Sequence, residues 1–148
     1  MCIRDRYTAN ESVFGRGMVQ FIVGIGIIMS VLAIGAAWEL WRLGDPRWQT
    51  VLFTTLVFSQ LAVAVSTRSE TNWAFSVGLF TNRSMVLAVV LTVVLQLVVI
   101  YLPLANVIFQ TQPLTPAELG LTFGLAVLTF IIVELWKAVA RRGRNAKK

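Results

Sequence analysis

Gln60 stands in an apolar stretch with Ser59 beside it and Thr54 and Thr55 about one turn earlier. Neutral side-chain oxygens of this kind suit a hard cation, because they can replace part of its hydration shell. The same residues also bond between neighbouring helices, for about 1 kcal/mol each. On residue type alone that packing use is the commoner one, and Gln20 and Gln96 are weaker candidates still for ion contact. Glu134 and Lys137 lie three apart and can pair on one helix face. A carboxylate in hydrocarbon must pair, reach the interface or face protein, so an orienting ion pair is favoured here over a proton or ion relay. Glu39 and Arg42 repeat the spacing, with the same preference. The single cysteine, Cys2, cannot form an internal disulfide, and no paired Cys or His pattern points to zinc. No myristoylation or prenylation signature accompanies it. The chain contains no phosphate-cradling Gly-rich loop, nucleophile elbow, HExxH or paired catalytic carboxylates, so no catalytic site for nucleotide hydrolysis is found within it.

The elements that must hold these residues are set by composition. Of 148 residues, 57% are apolar before the 10 glycines are counted, and 14% are charged. Soluble domains hold roughly 45 to 50% apolar residues with Gly included, and a water-soluble fold this small could not hide the excess. Ordinary soluble enzyme domains, disulfide-framed secreted modules and disordered tails are thereby excluded. The expected fold is an all-α membrane protein, an antiparallel bundle of four transmembrane helices at about 18–41, 48–65, 84–102 and 116–139. Each run approaches or exceeds the ~20 residues that cross ~30 Å of hydrocarbon. Helices are the spanning form, because backbone amides cannot go unpaired in lipid and the runs are too continuously apolar for barrel strands.

Punctuation between the runs supports this division. Gly44 can take a left-handed cap position after the first run, while Asp45 and Pro46 can begin the next element. Pro103 ends or kinks the third run. Thr115, Pro116 and Glu118 predict a reciprocal capping box, with proline at the first helical position of the fourth. Trp38, Trp41 and Trp48 gather at one turn, where indoles suit the headgroup layer. Trp73, Phe75 and Phe80 are expected to anchor at the interface, with docking on a partner domain as the alternative. Gly26 and Ser30, Ala33 and Ala37, and Gly120 and Gly124 follow the small-xxx-small spacing of helix contacts, read as packing grooves ahead of homodimer faces.

The net charge of +6 is confined mostly to the ends. A basic groove interleaved with aromatics is absent, so no nucleic-acid partner is expected; lipid headgroups are. With four crossings, eleven of the 13 Lys and Arg residues fall on one side and only Arg42 and Arg47 on the other. The excess of positive charge places both termini in the cytoplasm.

Beyond these readings the sequence resembles a known family. WQTVLFTTLVFSQLAVAVSTRSE (Trp48 to Glu70) and SVGLFTNRSMVLAVVLTVVLQLVVIYLP (Ser76 to Pro103) resemble the C-terminal membrane region of P-type cation-transporting ATPases, calcium-pump-like members above all. NESVFGRGM (Asn10 to Met18) looks like the loop leading into that region, and the likeness continues through IFQTQPLTPAEL (Ile108 to Leu119) to near Arg142. The resemblance implies that these spans are the seventh to tenth of a ten-helix pump. In such calcium pumps the eighth helix can supply an acidic ligand to one of two ion sites. Gln60 matches that position, as in relatives that carry a single calcium, which puts it near the ion pathway.

The family's DKTGT phosphorylation string, nucleotide and actuator domains and first six spans have no match in the chain. No cofactor is therefore expected on the chain itself. ATP, Mg and a transported cation are implied for the full-length parent, and the missing N-terminal membrane and cytoplasmic domains become its expected partners. Residues 1–17 are read as a cytoplasmic lead-in, with MCIRDR (Met1 to Arg6) resembling a spurious start; residues 18–142 form the four-span membrane domain and 143–148 a basic cytoplasmic tail. The expected function is a fragment of an ATP-driven cation transporter, calcium first, in the plasma membrane of a prokaryote. The alternatives are an independent four-helix scaffold or regulatory subunit, and a small passive channel lined by Gln60, Ser59 and Glu134.

Overall fold

The computed structural model describes residues 16–67 and 83–145. Five helices follow in order: α1 (Arg16–Arg42), α2 (Trp48–Thr67), α3 (Arg83–Tyr101), α4 (Pro103–Phe109) and α5 (Pro116–Asn145). Four of them are long and apolar enough to cross a membrane, over Val19–Arg42, Trp48–Thr67, Arg83–Tyr101 and Pro116–Val139. Among the described residues there is no strand. The all-α, four-span architecture is as the sequence predicts. Trp73, Phe75 and Phe80 lie outside the described residues, as do Cys2 and the lead-in to Gly15.

α2 is the hub of the bundle, packed on α1, α5 and the C-terminal part of α3. The α1–α2 reversal is a Schellman turn. Gly44 sits at φ +71°, in the left-handed region that glycine enters with least cost. Its amide bonds to the Trp41 carbonyl at 3.0 Å, and the Asp45 amide to the Leu40 carbonyl at 2.9 Å. α1 presents Ile25, Met29, Ala33 and Ala37, every fourth residue, as its buried stripe. Ile25 and Met29 join Val133 of α5 in one apolar cluster; Val51, Ile100 and Leu114 form a second.

The small-residue pairs divide. Ala33 and Ala37 are buried in the α1 contact, whereas Gly26, Ser30, Gly120 and Gly124 face outward. A Cβ on Gly26, Gly120 or Gly124 would meet nothing within 4 Å. A close approach occurs instead at Gly24, where a Cβ would lie 3.0 Å from the Trp136 indole of α5.

α4 is the element the sequence reading does not resolve. Pro103 ends α3 and starts a new helix of about two turns, with Leu102 extended before it, the conformation favoured before proline. Proline has no N–H, so the Val99 carbonyl four residues earlier loses its helical partner. The Thr111 hydroxyl donates to that carbonyl at 2.7 Å and folds the connection back. α5 then opens on the expected capping box. The Thr115 amide donates to Glu118 Oε2 at 2.7 Å, and the Glu118 amide donates to Thr115 Oγ1 at 3.3 Å.

Candidate functional site

α2 is two-sided in an unusual way for a membrane helix, because its packed face is the polar one. Thr50, Thr54, Thr55, Ser59 and Ser66 are all buried, and Thr122 and Thr129 of α5 are buried opposite them. Small hydroxyl residues let helix backbones approach, and their hydrogen bonds join helices where lipid offers no hydrophobic drive. Each hydroxyl is used inside the bundle. Thr54 Oγ1 accepts from Gln96 Nε2 of α3 at 3.0 Å, and Ser59 Oγ accepts from the Thr129 hydroxyl of α5 at 3.3 Å. Thr50 Oγ1 accepts from the Gln112 amide at 2.8 Å, while Thr55 Oγ1 donates to the Val51 carbonyl at 2.7 Å. Gln96 is thus a packing residue, in agreement with its sequence reading.

Gln60 behaves differently. It is exposed, on a stripe of α2 that also carries Gln49, Phe53, Ala64 and Thr67, and its amide makes no hydrogen bond among the described residues. Ser59, Thr54 and Thr55, its neighbours in sequence, point into the bundle away from that stripe, so the structure does not gather them around Gln60. Twelve residues separate Gln60 from the start of α2 and seven from its end. At ~1.5 Å per residue that places it about 18 Å and about 10 Å from the two ends, within the hydrocarbon depth. Gln20 is also exposed, near the start of α1.

At one end of the bundle, α5 meets the last turn of α2 through charge. Glu134 is 4% and Lys137 7% exposed. Lys137 Nζ lies 2.8 Å from Glu134 Oε1 and donates to the Ser66 carbonyl at 2.7 Å. The Ser66 hydroxyl donates to Glu134 Oε1 at 2.5 Å. The pair expected from the i, i+3 spacing is present, turned inward. Ser66 was not singled out by sequence; a serine in the last turn of an apolar helix carries no signal until its partner is placed.

At the opposite end, Arg47 bridges the α1–α2 turn to the start of α5. Its guanidinium bonds to both oxygens of Asp45 and reaches Glu118 Oε1 at 3.1 Å. Hydrogen bonding from the Arg47 side chain, and then from its amide, lowers the Asp45 carboxyl from 3.8 to about 2. Asp45 in turn raises the Arg47 guanidinium. Glu39 and Arg42 pair at 3.6 Å on an exposed surface. All four carboxylates among the described residues are therefore ion-paired, and no cluster of three or more acidic, His or Cys side chains forms among them. They do not offer a site for a nucleotide-bound magnesium.

These two end contacts fix the topology. Arg47 with Glu118 and Ser66 with Lys137 make α2 and α5 parallel to each other, so α1 begins and α5 ends at the same end of the bundle.

Known proteins with the same arrangement of sequence are transporters. The family model described as "Cation transporting ATPase, C-terminus" matches residues 2–139. Rat calcium-transporting ATPase type 2C member 2 is 32% identical over 152 residues, covering 97% of this chain and 16% of that protein. Human calcium-transporting ATPase type 2C member 1 is 34% identical over 134 residues, covering 87% of this chain and 15% of that protein. Calcium-transporting ATPase 1 of Bacillus cereus (strain ATCC 10987 / NRS 248) is 31% identical over 148 residues, covering 87% and 16%. The chain spans about one sixth of the length of these relatives. With its four membrane-spanning helices and a match over nearly its whole length, the chain belongs to the cation-transporting ATPase family, of which it represents the C-terminal membrane region.

Proposed function

We propose that the chain supplies the last four membrane spans of an ATP-driven cation pump, with calcium as the cargo, and that Gln60 lines the cation path. The observation that carries this reading is the placement of Gln60. It is a polar side chain deep in the span that makes no hydrogen bond among the described residues. An amide left to lipid at that depth is unfavourable, and a stripe facing the other spans of a pump gives it a use. The relatives' names support calcium.

In this reading the domain boundaries are those expected from sequence, with a cytoplasmic lead-in before residue 18, the membrane domain to 142 and a basic cytoplasmic tail after it. Both termini face the cytoplasm, a placement supported by the eleven-to-two charge asymmetry. The rest of the pump brings ATP and magnesium and carries out phosphoryl transfer. The four spans support the helices that carry most ion ligands. The membrane is the plasma membrane of a prokaryote, a placement in keeping with the Bacillus relative.

The test is calcium-dependent phosphorylation by ATP in the complete pump that carries this chain. Gln60→Ala should raise the half-saturating calcium concentration while leaving the maximal phosphorylation level intact. An unchanged calcium dependence would assign Gln60 to packing.

A further inference from the structure

Lys137 is not placed as a membrane lysine near a helix end usually is. Such a side chain reaches outward to the headgroups, yet Lys137 turns inward and is 7% exposed, while its neighbour Leu135 is 56% exposed. Its ammonium also does more than neutralise Glu134. It donates to the Ser66 carbonyl, in the final turn of α2, where helix carbonyls lack amide partners and carry the negative end of the helix dipole. Ser66 completes the contact from the other direction by donating its hydroxyl to Glu134 Oε1. Two of these bonds cross between the helices, and the third, between Lys137 and Glu134 within α5, ties their ends together.

We propose that Lys137 is a positioning residue, which clamps the last turn of α2 onto α5 and so sets the depth and rotation of Gln60 in the cation path. The proposal rests on the reading of Gln60 given above. The geometry of α2 makes the link. Gln60 lies six residues before Ser66, about 9 Å along the axis and on a different face of the helix. A slide or rotation of α2 that moves Gln60 therefore pulls the Ser66 carbonyl and hydroxyl away from their buried partners Lys137 and Glu134. The Glu134–Lys137 pair lies within α5 and stays intact, but such a slide strips it of hydrogen bonds that help to satisfy its buried charges, so the clamp favours one arrangement of α2 over its neighbours. Farther along the helix, the bonds of Ser59 to Thr129 and of Thr54 to Gln96 are neutral and weaker.

Three variants of the complete pump test this: Lys137→Met, Lys137→Arg and Ser66→Ala. Each is read by hydrogen exchange of the last two turns of α2 and by the calcium dependence of phosphorylation. Lys137→Met should speed that exchange and raise half-saturating calcium roughly tenfold, a typical coupling between linked sites, with the maximal phosphorylation level retained. Lys137→Arg should restore most of the affinity, and Ser66→Ala should give a smaller shift of the same sign. Faster exchange with unchanged calcium dependence would overturn the proposal, as would a loss of maximal level alone. Should Lys137→Met fail to insert, Ser66→Ala decides, and an unchanged half-saturation there is the overturning result. A shift with Gln60→Ala and none with the clamp variants removes the clamp alone. No shift with Gln60→Ala removes the reading of Gln60, and the clamp's role with it.

Discussion

At the scale of single residues, two glutamines separate the uses that a polar side chain has inside a membrane. Gln96 is buried and donates to Thr54 of α2, so it joins two helices. Gln60 is exposed and takes no such partner among the described residues. Gln96→Leu should therefore lower thermal stability in detergent by about 1 kcal/mol, while leaving the pump's calcium dependence where it was; a shift in calcium affinity would give Gln96 an ion-path role. Asp45 offers a test through pH. Its folded carboxyl is held at about 2, below the ordinary 3.8, so its contribution to stability is present above about pH 4 and disappears as pH falls toward 2. The difference in melting temperature between the protein and Asp45→Asn should be flat at neutral pH and close progressively below about pH 4. A difference that grew with acid would mean the carboxylate is destabilising. Sequence showed that Glu134 and Lys137 can pair, because i, i+3 spacing is a local property. It could not show that the pair points at Ser66, since that contact joins residues 71 apart.

The elements were legible where local chemistry decides them. Apolar runs bounded by charge locate α1, α2, α3 and α5, and the left-handed glycine at 44 and the Thr115–Glu118 capping box are both found in place. Glu118 serves twice, capping α5 and receiving Arg47 from the α1–α2 turn. Thr115→Ala should cost about 1 kcal/mol, the usual loss for a cap residue. Glu118→Ala should cost more, because it also releases Arg47, and thermal unfolding of the two variants checks the order. Equal losses would mean that Arg47 contributes no stability through α5. α4 escaped the sequence reading for a physical reason. A seven-residue helix adds too few turns to show a period, and proline reads equally as an end and as a beginning. The polar face of α2 was equally hidden: isolated threonines and serines in an apolar run say nothing of which side they share until a partner helix is placed against them.

For the whole molecule, the packing of α2 orders the rest. Its packed face is covered by α1, α3 and α5, its last turn is held by Lys137, and its remaining stripe carries Gln60 outward. Composition and charge made the four-span architecture readable, since the solvent that surrounds a chain is a bulk property. The direction in which Gln60 faces is a tertiary property, and the sequence reached it only through the resemblance to cation pumps. The central claim is that this face meets a hydrated cation path. It is tested most directly by Gln60→Cys in the complete pump, otherwise freed of cysteine, treated with a small methanethiosulfonate reagent with and without calcium. The account predicts that the thiol is modified in the absence of calcium and protected when calcium is bound. A thiol that stays unreactive in both conditions, as one facing lipid would, contradicts it.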